Sequence, residues 1–208
     1  MYKPTFDLKD VQVIDQNIVY QGFYKVEKFK LQHRLFAGGT SKELNRELVH
    51  RLPAVAVLMY DADQDLVVLV EQFRVGAMAH ESGPWQLEMV AGMIDTKETP
   101  EQVAVRECME ESGAIIHEKD LELVSKYLVT SGGSNEELSI YCAPVNASLL
   151  GGVFGLPTEG EDIKVHIIKR QDFIKMLEQG QLSNAAIIIA CQWLNVNYQR
   201  LTKQWANQ

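Results

Sequence analysis

Short, uninterrupted apolar runs mark the middle of the chain. Residues 54–60 and 66–70 are almost all apolar, and the polar segment 61–65 separates them. Runs of this length between turn residues are typical of strands buried on both faces, and the short connection favours a hairpin. We therefore expect this hairpin to lie in the core of the fold.

Strands are also predicted on both sides of this hairpin. Residues 1–50 are rich in β-branched and aromatic residues, notably in 11–14 and 19–35, with glycines as interruptions. We expect a small strand-rich N-terminal domain over 1–50, followed by a main domain over 51–208. Further strands are expected at 85–90, 121–128, 138–144 and 163–168, and loops at 76–84, 130–136 and 146–162.

Three helices complete the prediction. In the first, Thr99 can cap the helix, Pro100 suits its first position, and Gln102 completes a Thr-x-x-Gln capping box. Gly113 stands where a helix commonly ends in the left-handed conformation. The other two helices are expected at 171–179 and from 185 to about 205. Strands and helices in this irregular order predict an α+β fold, in which helices flank a mixed β-sheet.

Charge and composition narrow the range of functions. The chain has 208 residues, 46% of them hydrophobic, and a formal net charge of −8. This balance favours a folded protein and argues against broad binding to nucleic acid, which needs a basic surface. We expect no membrane span and no secretory signal, because no apolar run is long enough. The cysteines are far apart and the histidines lack ligand spacing, which predicts buried thiols, no zinc site and a cytoplasmic location.

A cluster of carboxylates lies between Gly92 and Gly113. On a helix, Glu107 lies beside both Glu110 and Glu111, and like charges at this spacing destabilise the helix unless a cation compensates them. Carboxylate oxygens are the ligands that Mg²⁺ prefers, and Mg²⁺ takes further ligands from water and substrate phosphates. The cluster predicts a metal-dependent enzyme acting on a phosphate compound. The alternative is an ordinary solvated acidic face.

The residues around the cluster are expected to shape it. We expect Gly92 to form a turn that leads from the preceding strand toward the helix. The planar fork of Arg106 suits a carboxylate partner such as Glu98. We therefore expect this ion pair to hold the loop against the helix and to leave metal binding to the other glutamates.

The spacing of these residues resembles the Nudix box of the Nudix hydrolases, Gly-x5-Glu-x7-Arg-Glu-U-x-Glu-Glu-x-Gly-U, where U is a bulky aliphatic residue. All fixed positions of that motif are present: Gly92, Glu98, Arg106, Glu107, Glu110, Glu111 and Gly113. The two aliphatic positions hold Cys108 and Ala114, which are smaller but still apolar. The resemblance implies a Nudix α/β/α sandwich with a mixed sheet.

Further segments resemble the branch of the family that cleaves ADP-ribose. These segments are 22–24, 33–36, 71–74, 88–92, 131–136, 159–163 and 184–186. They imply Mg²⁺-dependent hydrolysis of ADP-ribose to AMP and ribose 5-phosphate. Many members of that branch have a proline where this chain has Ser131. Another nucleoside diphosphate sugar or a dinucleotide therefore stays open as the substrate, as does a catalytically silent nucleotide sensor.

The resemblance also implies a metal site and a base. Glu107, Glu111 and the backbone carbonyl of Ala91 would hold the metal, with Glu161 as a further ligand. Two or three Mg²⁺ ions are expected, and Mn²⁺ is a possible substitute. Glu159 matches the general base of the family, and Glu110 is the rival candidate. Arg106 completes the set of expected catalytic residues.

The resemblance implies substrate contacts on both parts of the chain. Phe23 is expected to stack on adenine, unless it is a core aromatic of the N-terminal strands. The arginines are expected to bind phosphate, and Met93 and Glu136 to hold the terminal ribose. The full set of expected contacts is Phe23, Tyr24, Arg46, Glu47, Arg51, Arg74, Met93 and Glu136. The resemblance further implies a homodimer in which N-terminal strands are exchanged between subunits.

Overall fold

The computed structural model describes residues 2–206 and forms two compact units. The N-terminal unit comprises the chain up to Leu52 together with Leu128–Glu137. The second unit comprises Pro53–Tyr127 together with the chain from Leu138 onward. The loop near residue 130 thus groups with the N-terminal strands, although it is far from them in the sequence.

The N-terminal unit is a three-stranded antiparallel sheet. Its strands are β1 (Val11–Gln21), β2 (Lys25–His33) and β3 (Leu44–His50), in the spatial order β1-β2-β3. Every residue of β1 is exposed, including several large apolar side chains. A free edge strand of this kind presents unpaired backbone groups and apolar surface.

The predicted core hairpin is confirmed in the second unit. Strand β4 (Ala54–Asp61) runs antiparallel to β5 (Leu66–Phe73), and all eight residues of β4 are buried. The first half of β4 pairs instead with β7 (Val90–Met93), while β6 (Trp85–Glu88) pairs with β5. Strands β4 and β5 therefore diverge beyond their paired ends, and β7 and β6 pair with the separated parts of β4 and β5, respectively.

The remaining strands extend a mixed sheet. Its order is β10-β11-β5-β4-β9-β8, and β4 and β9 are parallel. The new strands are β8 (Glu122–Leu128), β9 (Glu137–Pro144), β10 (Gly152–Phe154) and β11 (Ile163–Lys169). Two predictions were wrong here. Gly92 lies inside strand β7, not in a turn, and the expected loop 146–162 contains β10. Three-residue strands are too short for a periodic pattern to reveal them.

Three helices cover the sheet, and their ends follow the sequence signals. Helix α1 (Pro100–Ser112) begins at the predicted capping box and ends at Gly113, which has a φ of 70°. Helix α2 (Arg170–Glu178) and helix α3 (Ala185–Trp205) follow β11. The observed bounds differ from the predicted ones by at most a residue.

Both faces of the sheet are buried. Alternate β4 residues such as Val55 and Val57 pack with Val103 and Cys108 of α1. The intervening residues pack with α2 and α3, through side chains such as Phe173, Ile187 and Leu194. Helix α1 therefore lies on one face and α2 and α3 on the other, which is the expected α/β/α sandwich.

Two smaller expectations concern the cysteines and the membrane. All three cysteines are buried as free thiols, as predicted: Cys108, Cys142 and Cys191. Within residues 2–206, no helix combines the length and the apolar character that crossing a membrane requires.

Candidate active site

Helix α1 holds two of its glutamates against strand β7. Glu111 is only 2% exposed, and one of its carboxylate oxygens accepts the backbone N–H of Ala91 at 3.1 Å. Glu107 lies one turn earlier on the same face and is also largely buried. The capping box and the Gly113 end fix where the helix begins and ends, and therefore where these carboxylates lie.

Gly92 makes this close approach possible. A Cβ atom at Gly92 would lie 2.1 Å from Oε1 of Glu107 and 2.2 Å from its Cδ. The backbone of Gly92 is ordinary strand, since its φ is not in the left-handed region. The glycine is thus required for space and not for a turn, which corrects the prediction in physical terms.

Arg106 binds more carboxylates than predicted. Its Nε contacts Glu98 at 3.2 Å, as expected from the sequence. Its Nη1 also donates to Glu107 and to Glu110, both at 2.9 Å. Burial alone would lower the pKa of Arg106, but the charges of Glu107, Glu98 and Glu110 outweigh it and raise that pKa. Arg106 therefore compensates the acidic row of α1, which consists of Glu107, Glu110 and Glu111, in addition to fixing the loop before the helix.

Burial raises the pKa of the two inner glutamates. Desolvation raises the pKa of Glu111 to about 8 and that of Glu107 to about 7. The charge of Glu107 also raises the pKa of Glu111, that of Glu110 raises the pKa of Glu107, and Glu161 adds to both effects. The hydrogen bond from Ala91 and the charge of Arg74 partly oppose the shift at Glu111. The site therefore gathers negative charge in a poorly solvated place, which favours binding of a cation.

These shifts predict that the metal-free protein loses stability as pH rises. The folded protein keeps protons on Glu111 and Glu107 that the unfolded chain, with a pKa of 4.5, has already released. The free energy of unfolding should therefore fall from about pH 5 to about pH 8, by up to a few kcal/mol. We expect Glu111→Gln to flatten much of this slope, as measured by urea unfolding in EDTA. The surface variant Glu118→Gln is the control, and equal slopes in wild type and Glu111→Gln would contradict the prediction.

The loop before β11 carries the other two predicted acids. Glu159 is exposed and ends a single 3-10 turn, Pro157–Glu159. Glu161 is half-buried, and its Oε2 accepts the backbone N–H of Leu156 at 2.9 Å. Glu161 is close enough to Glu107 and Glu111 to raise their pKa values. The structure therefore brings Glu161 near the helix glutamates and leaves Glu159 facing solvent.

Arg74 is held by a residue outside the predicted set. Its Nε donates to Glu88 at 2.8 Å, and the other oxygen of Glu88 accepts from Asn184 at 3.4 Å. Glu88 faces the same side of the sheet as its cross-strand partner Val70, which is the α1 side. The available sequence signal for this contact was a charged residue inside the predicted strand 85–90.

A second group of predicted residues meets in the N-terminal unit. Arg51 donates to the Tyr24 hydroxyl at 2.8 Å and to Glu136 at 2.9 Å, and its backbone N–H donates to the Asn135 side chain. Its guanidinium also lies 4.8 Å from the Tyr24 ring centre. Phe23 is 80% exposed and contacts Tyr24 edge to face, so the core alternative for Phe23 is wrong. Asn135 was not predicted as a site residue.

The other predicted contacts are more scattered. Arg46 and Glu47 are exposed on β3, where Arg46 bonds the carbonyl of Asn45, and they do not join the Arg51 group. Met93 ends β7 and is 38% exposed. Their roles in substrate binding stay predictions.

The carboxylates of Glu107 and Glu111 suit a hard divalent cation. They offer oxygen donors with raised pKa values, and a cation there would replace the protons that this environment favours. The absence of a side chain at Gly92 allows the Glu107 carboxylate to lie against the strand backbone. In the part of the chain that the structure describes, no three His, Cys, Asp or Glu side chains are already grouped as a ligand set. The set Ala91, Glu107, Glu111 and Glu161 therefore stays a prediction.

Comparison with known proteins assigns the family. The family model described as NUDIX domain matches residues 50–186. The ADP-ribose pyrophosphatase of Escherichia coli K12 is 41% identical over 202 residues, covering 97% of this chain and 96% of that protein. The ADP-ribose pyrophosphatase of Haemophilus influenzae is 37% identical, covering 96% of this chain and 93% of that protein. A GDP-mannose pyrophosphatase of Yersinia pestis is 26% identical, covering 90% of this chain and 93% of that protein. The matched region contains helix α1 and the loop of Glu161, and the chain belongs to the Nudix hydrolase family.

Proposed function

We propose that this protein hydrolyses the pyrophosphate bond of ADP-ribose, giving AMP and ribose 5-phosphate. The observation that carries the proposal is the similarity to proteins named ADP-ribose pyrophosphatase over 97% of the chain. Phosphoanhydride oxygens are negative and repel a nucleophile, so such a reaction needs bound cations to neutralise them. The buried carboxylates of α1 are suited to hold those cations.

The reaction as proposed depends on divalent metal, with two or three Mg²⁺ ions and Mn²⁺ as a substitute. Glu107, Glu111, Glu161 and the Ala91 carbonyl would hold these ions. When bound, they would neutralise phosphate oxygens and lower the pKa of a water molecule. Arg106 holds Glu107 through a 2.9 Å ion pair and so orients one ligand.

We assign the general base to Glu159 ahead of Glu110. The carboxylate of Glu110 is already engaged by Arg106 at 2.9 Å, so this ion pair occupies one of its oxygens. Glu159 lies on an exposed turn, where it can reach a water molecule beside a bound substrate. Leu156 and Glu161 close the base of this turn through a backbone hydrogen bond.

The nucleoside is proposed to bind at the N-terminal sheet. Phe23 offers an exposed ring for adenine, and the Tyr24–Arg51–Glu136 group provides hydrogen bonds beside it. Arg46 with Glu47 and, in the second unit, Arg74 are assigned to phosphate and sugar contacts. Met93 and Glu136 are assigned to the terminal ribose.

We propose that the protein is a homodimer with exchanged N-terminal strands. The support is β1, an exposed edge strand that carries Val13, Ile18 and Tyr20 at half exposure or more. A second copy of the same strand region would cover these side chains and the open sheet edge.

We further propose a cytoplasmic location, because the three cysteines of this protein are buried free thiols, which suit a reducing compartment.

A second candidate substrate is GDP-mannose or another nucleoside diphosphate sugar. The observations that favour it are the similarity to GDP-mannose pyrophosphatases at 26% identity and the Ser131 departure from the ADP-ribose pattern. A panel of ADP-ribose, GDP-mannose and a dinucleotide, incubated with Mg²⁺ in ¹⁸O-labelled water, tests both. We expect ADP-ribose to be cut fastest, and phosphorus NMR to place the label in one product only. Faster cleavage of GDP-mannose would replace the first proposal with the second.

Removing Phe23 should weaken substrate binding without slowing the chemistry. Stacking of a base on an aromatic ring contributes about 1–3 kcal/mol, so Phe23→Ala should raise KM about tenfold or more while kcat changes little. Phe36→Ala is a matched control, because Phe36 is 86% exposed in the same unit and contacts only the ring of Phe6 among aromatic side chains of residues 2–206. An unchanged KM in Phe23→Ala would remove Phe23 from the adenine site.

A further inference from the structure

The loop that carries Glu159 and Glu161 begins at a very short strand. Strand β10 has three residues, lies at the edge of the sheet and pairs only with β11. A ladder of this length with one neighbour contributes little to fixing a loop. Other contacts must therefore set the position of the loop relative to helix α1.

Phe154, the last residue of β10, makes one of these contacts. Its ring lies against Gly113, where an added Cβ would be 2.8 Å from Cε1 of Phe154 and 3.0 Å from Cζ. The half-buried ring packs with the apolar cluster between α1 and the sheet. The glycine that ends α1 in the left-handed conformation therefore also makes room for this aromatic ring.

The next residue continues the attachment to the same helix. The backbone N–H of Gly155 donates to the carbonyl of Glu110 at 3.3 Å. Gly155 also lies against Glu161, since a Cβ there would be 2.7 Å from the Cβ of Glu161. Leu156 and Glu161 then exchange two hydrogen bonds, one through the Glu161 carboxylate and one between backbones. Residues 156–161 are thus a small closed loop whose entry is fastened to the C-terminal end of α1.

We propose that Phe154 is a positioning residue, which holds the loop of Glu159 and Glu161 in register with Glu107 and Glu111 of helix α1. The inference rests on the proposed function, because these four carboxylates are the ones that it assigns to metal and base. Phe154 itself touches neither the substrate nor the metal in this assignment. Its effect is on the distance between two sets of acids that come from distant parts of the chain.

The rival explanation is that Phe154 only fills the apolar cluster. In that case Phe154→Ala would lower the melting temperature and leave kcat unchanged. A positioning role instead predicts a kcat about 10- to 100-fold lower with little change in KM, since small displacements of reacting groups are costly and stacking contacts are untouched.

The experiment compares Phe154→Ala, Phe154→Leu and Val153→Ala in the full-length chain. Val153 is the matched control, because it is adjacent on β10 and 66% exposed. Steady-state kinetics with ADP-ribose and Mg²⁺ should show the loss of kcat in Phe154→Ala, partial recovery in Phe154→Leu and wild-type values in Val153→Ala. If the alanine variant does not fold, a lowered kcat with unchanged KM in Phe154→Leu supports the proposal equally.

Hydrogen exchange provides a readout that needs neither substrate nor metal. The amides of Gly155, Leu156 and Glu161 should exchange faster in Phe154→Ala, whereas those in the middle of α1 should not. Wild-type kcat, or unchanged exchange in this loop, would overturn the proposal. A wild-type protein that leaves ADP-ribose uncut would overturn the proposed function instead, and the exchange result would then decide on the loop attachment alone.

Discussion

Glu111→Gln is expected to fold normally and to lose nearly all hydrolysis of ADP-ribose. Glutamine keeps the shape of the side chain and can still accept the Ala91 N–H bond, but it lacks the negative charge with which Glu111 would hold a divalent cation. Loss of such a charge should cost several kcal/mol of transition-state stabilisation, on the order of 10³-fold in kcat. Steady-state kinetics at saturating Mg²⁺ measure this loss, and circular dichroism checks the fold.

The control for this variant is Glu101→Gln. Glu101 lies in the first turn of the same helix, and its carboxylate accepts the Tyr141 hydroxyl at 2.7 Å, away from the acidic row. The substitution Glu101→Gln removes the same charge from the same helix as Glu111→Gln does. It therefore separates the loss of a metal ligand from a general change in charge. Near-wild-type turnover in Glu111→Gln would contradict the assignment of Glu111 to the metal.

The parts of the fold that the sequence predicts are those that depend on neighbouring residues. The capping box of Thr99 and Gln102 and the left-handed Gly113 are local, and both are present. The β4–β5 hairpin follows from two apolar runs and a polar turn, and it is also present. The acidic row on α1 needs only helical spacing. In each case a few adjacent side chains determine the result, so a single sequence is enough.

The parts that could not be predicted depend on contacts between distant segments. The spatial role of Gly92 is visible only once β7 is packed against α1, because no turn or positive φ marks it. The contacts of Arg51 with Tyr24 and Glu136 join three segments of the chain. The additional pairing of Arg106 with Glu107 and Glu110 depends on side-chain directions that spacing leaves open.

The burial of acidic side chains at this site opposes folding. Glu111 is nearly fully buried, and burial raises its pKa to about 8, so its ionised form is unfavourable in this place. Local conflict between charge and burial is expected where function and not stability selects the residue. Two features moderate it, namely the ion pairs of Arg106 and the N–H of Ala91. The Ala91 N–H holds Glu111 against strand β7, and on the same strand Gly92 leaves room for Glu107.

Gly92→Ala should therefore disable the site while preserving the fold. The new Cβ would lie 2.1–2.4 Å from Oε1, Cδ and Cγ of Glu107, so the carboxylate must move. These atoms belong to a flexible side chain, and the strand backbone is compatible with alanine, so the melting temperature should change little. Because Glu107, the proposed metal ligand, is displaced, Mn²⁺ affinity and kcat should fall, the latter about 10²-fold or more. Gly76→Ala is the control, since a Cβ at Gly76 meets no atom within 4 Å.

A double-mutant cycle identifies Glu107 as the route of this effect. If alanine at position 92 acts only by displacing Glu107, then adding it to Glu107→Gln should lower kcat much less than it does in the wild type. Additive losses would mean that Gly92 contributes through another contact, such as the β4–β7 pairing with Val55. Mn²⁺ titration followed by electron paramagnetic resonance gives the same comparison without turnover. We expect the single variants and the double variant to bind Mn²⁺ with similarly reduced affinity, because all three remove one carboxylate from the same place.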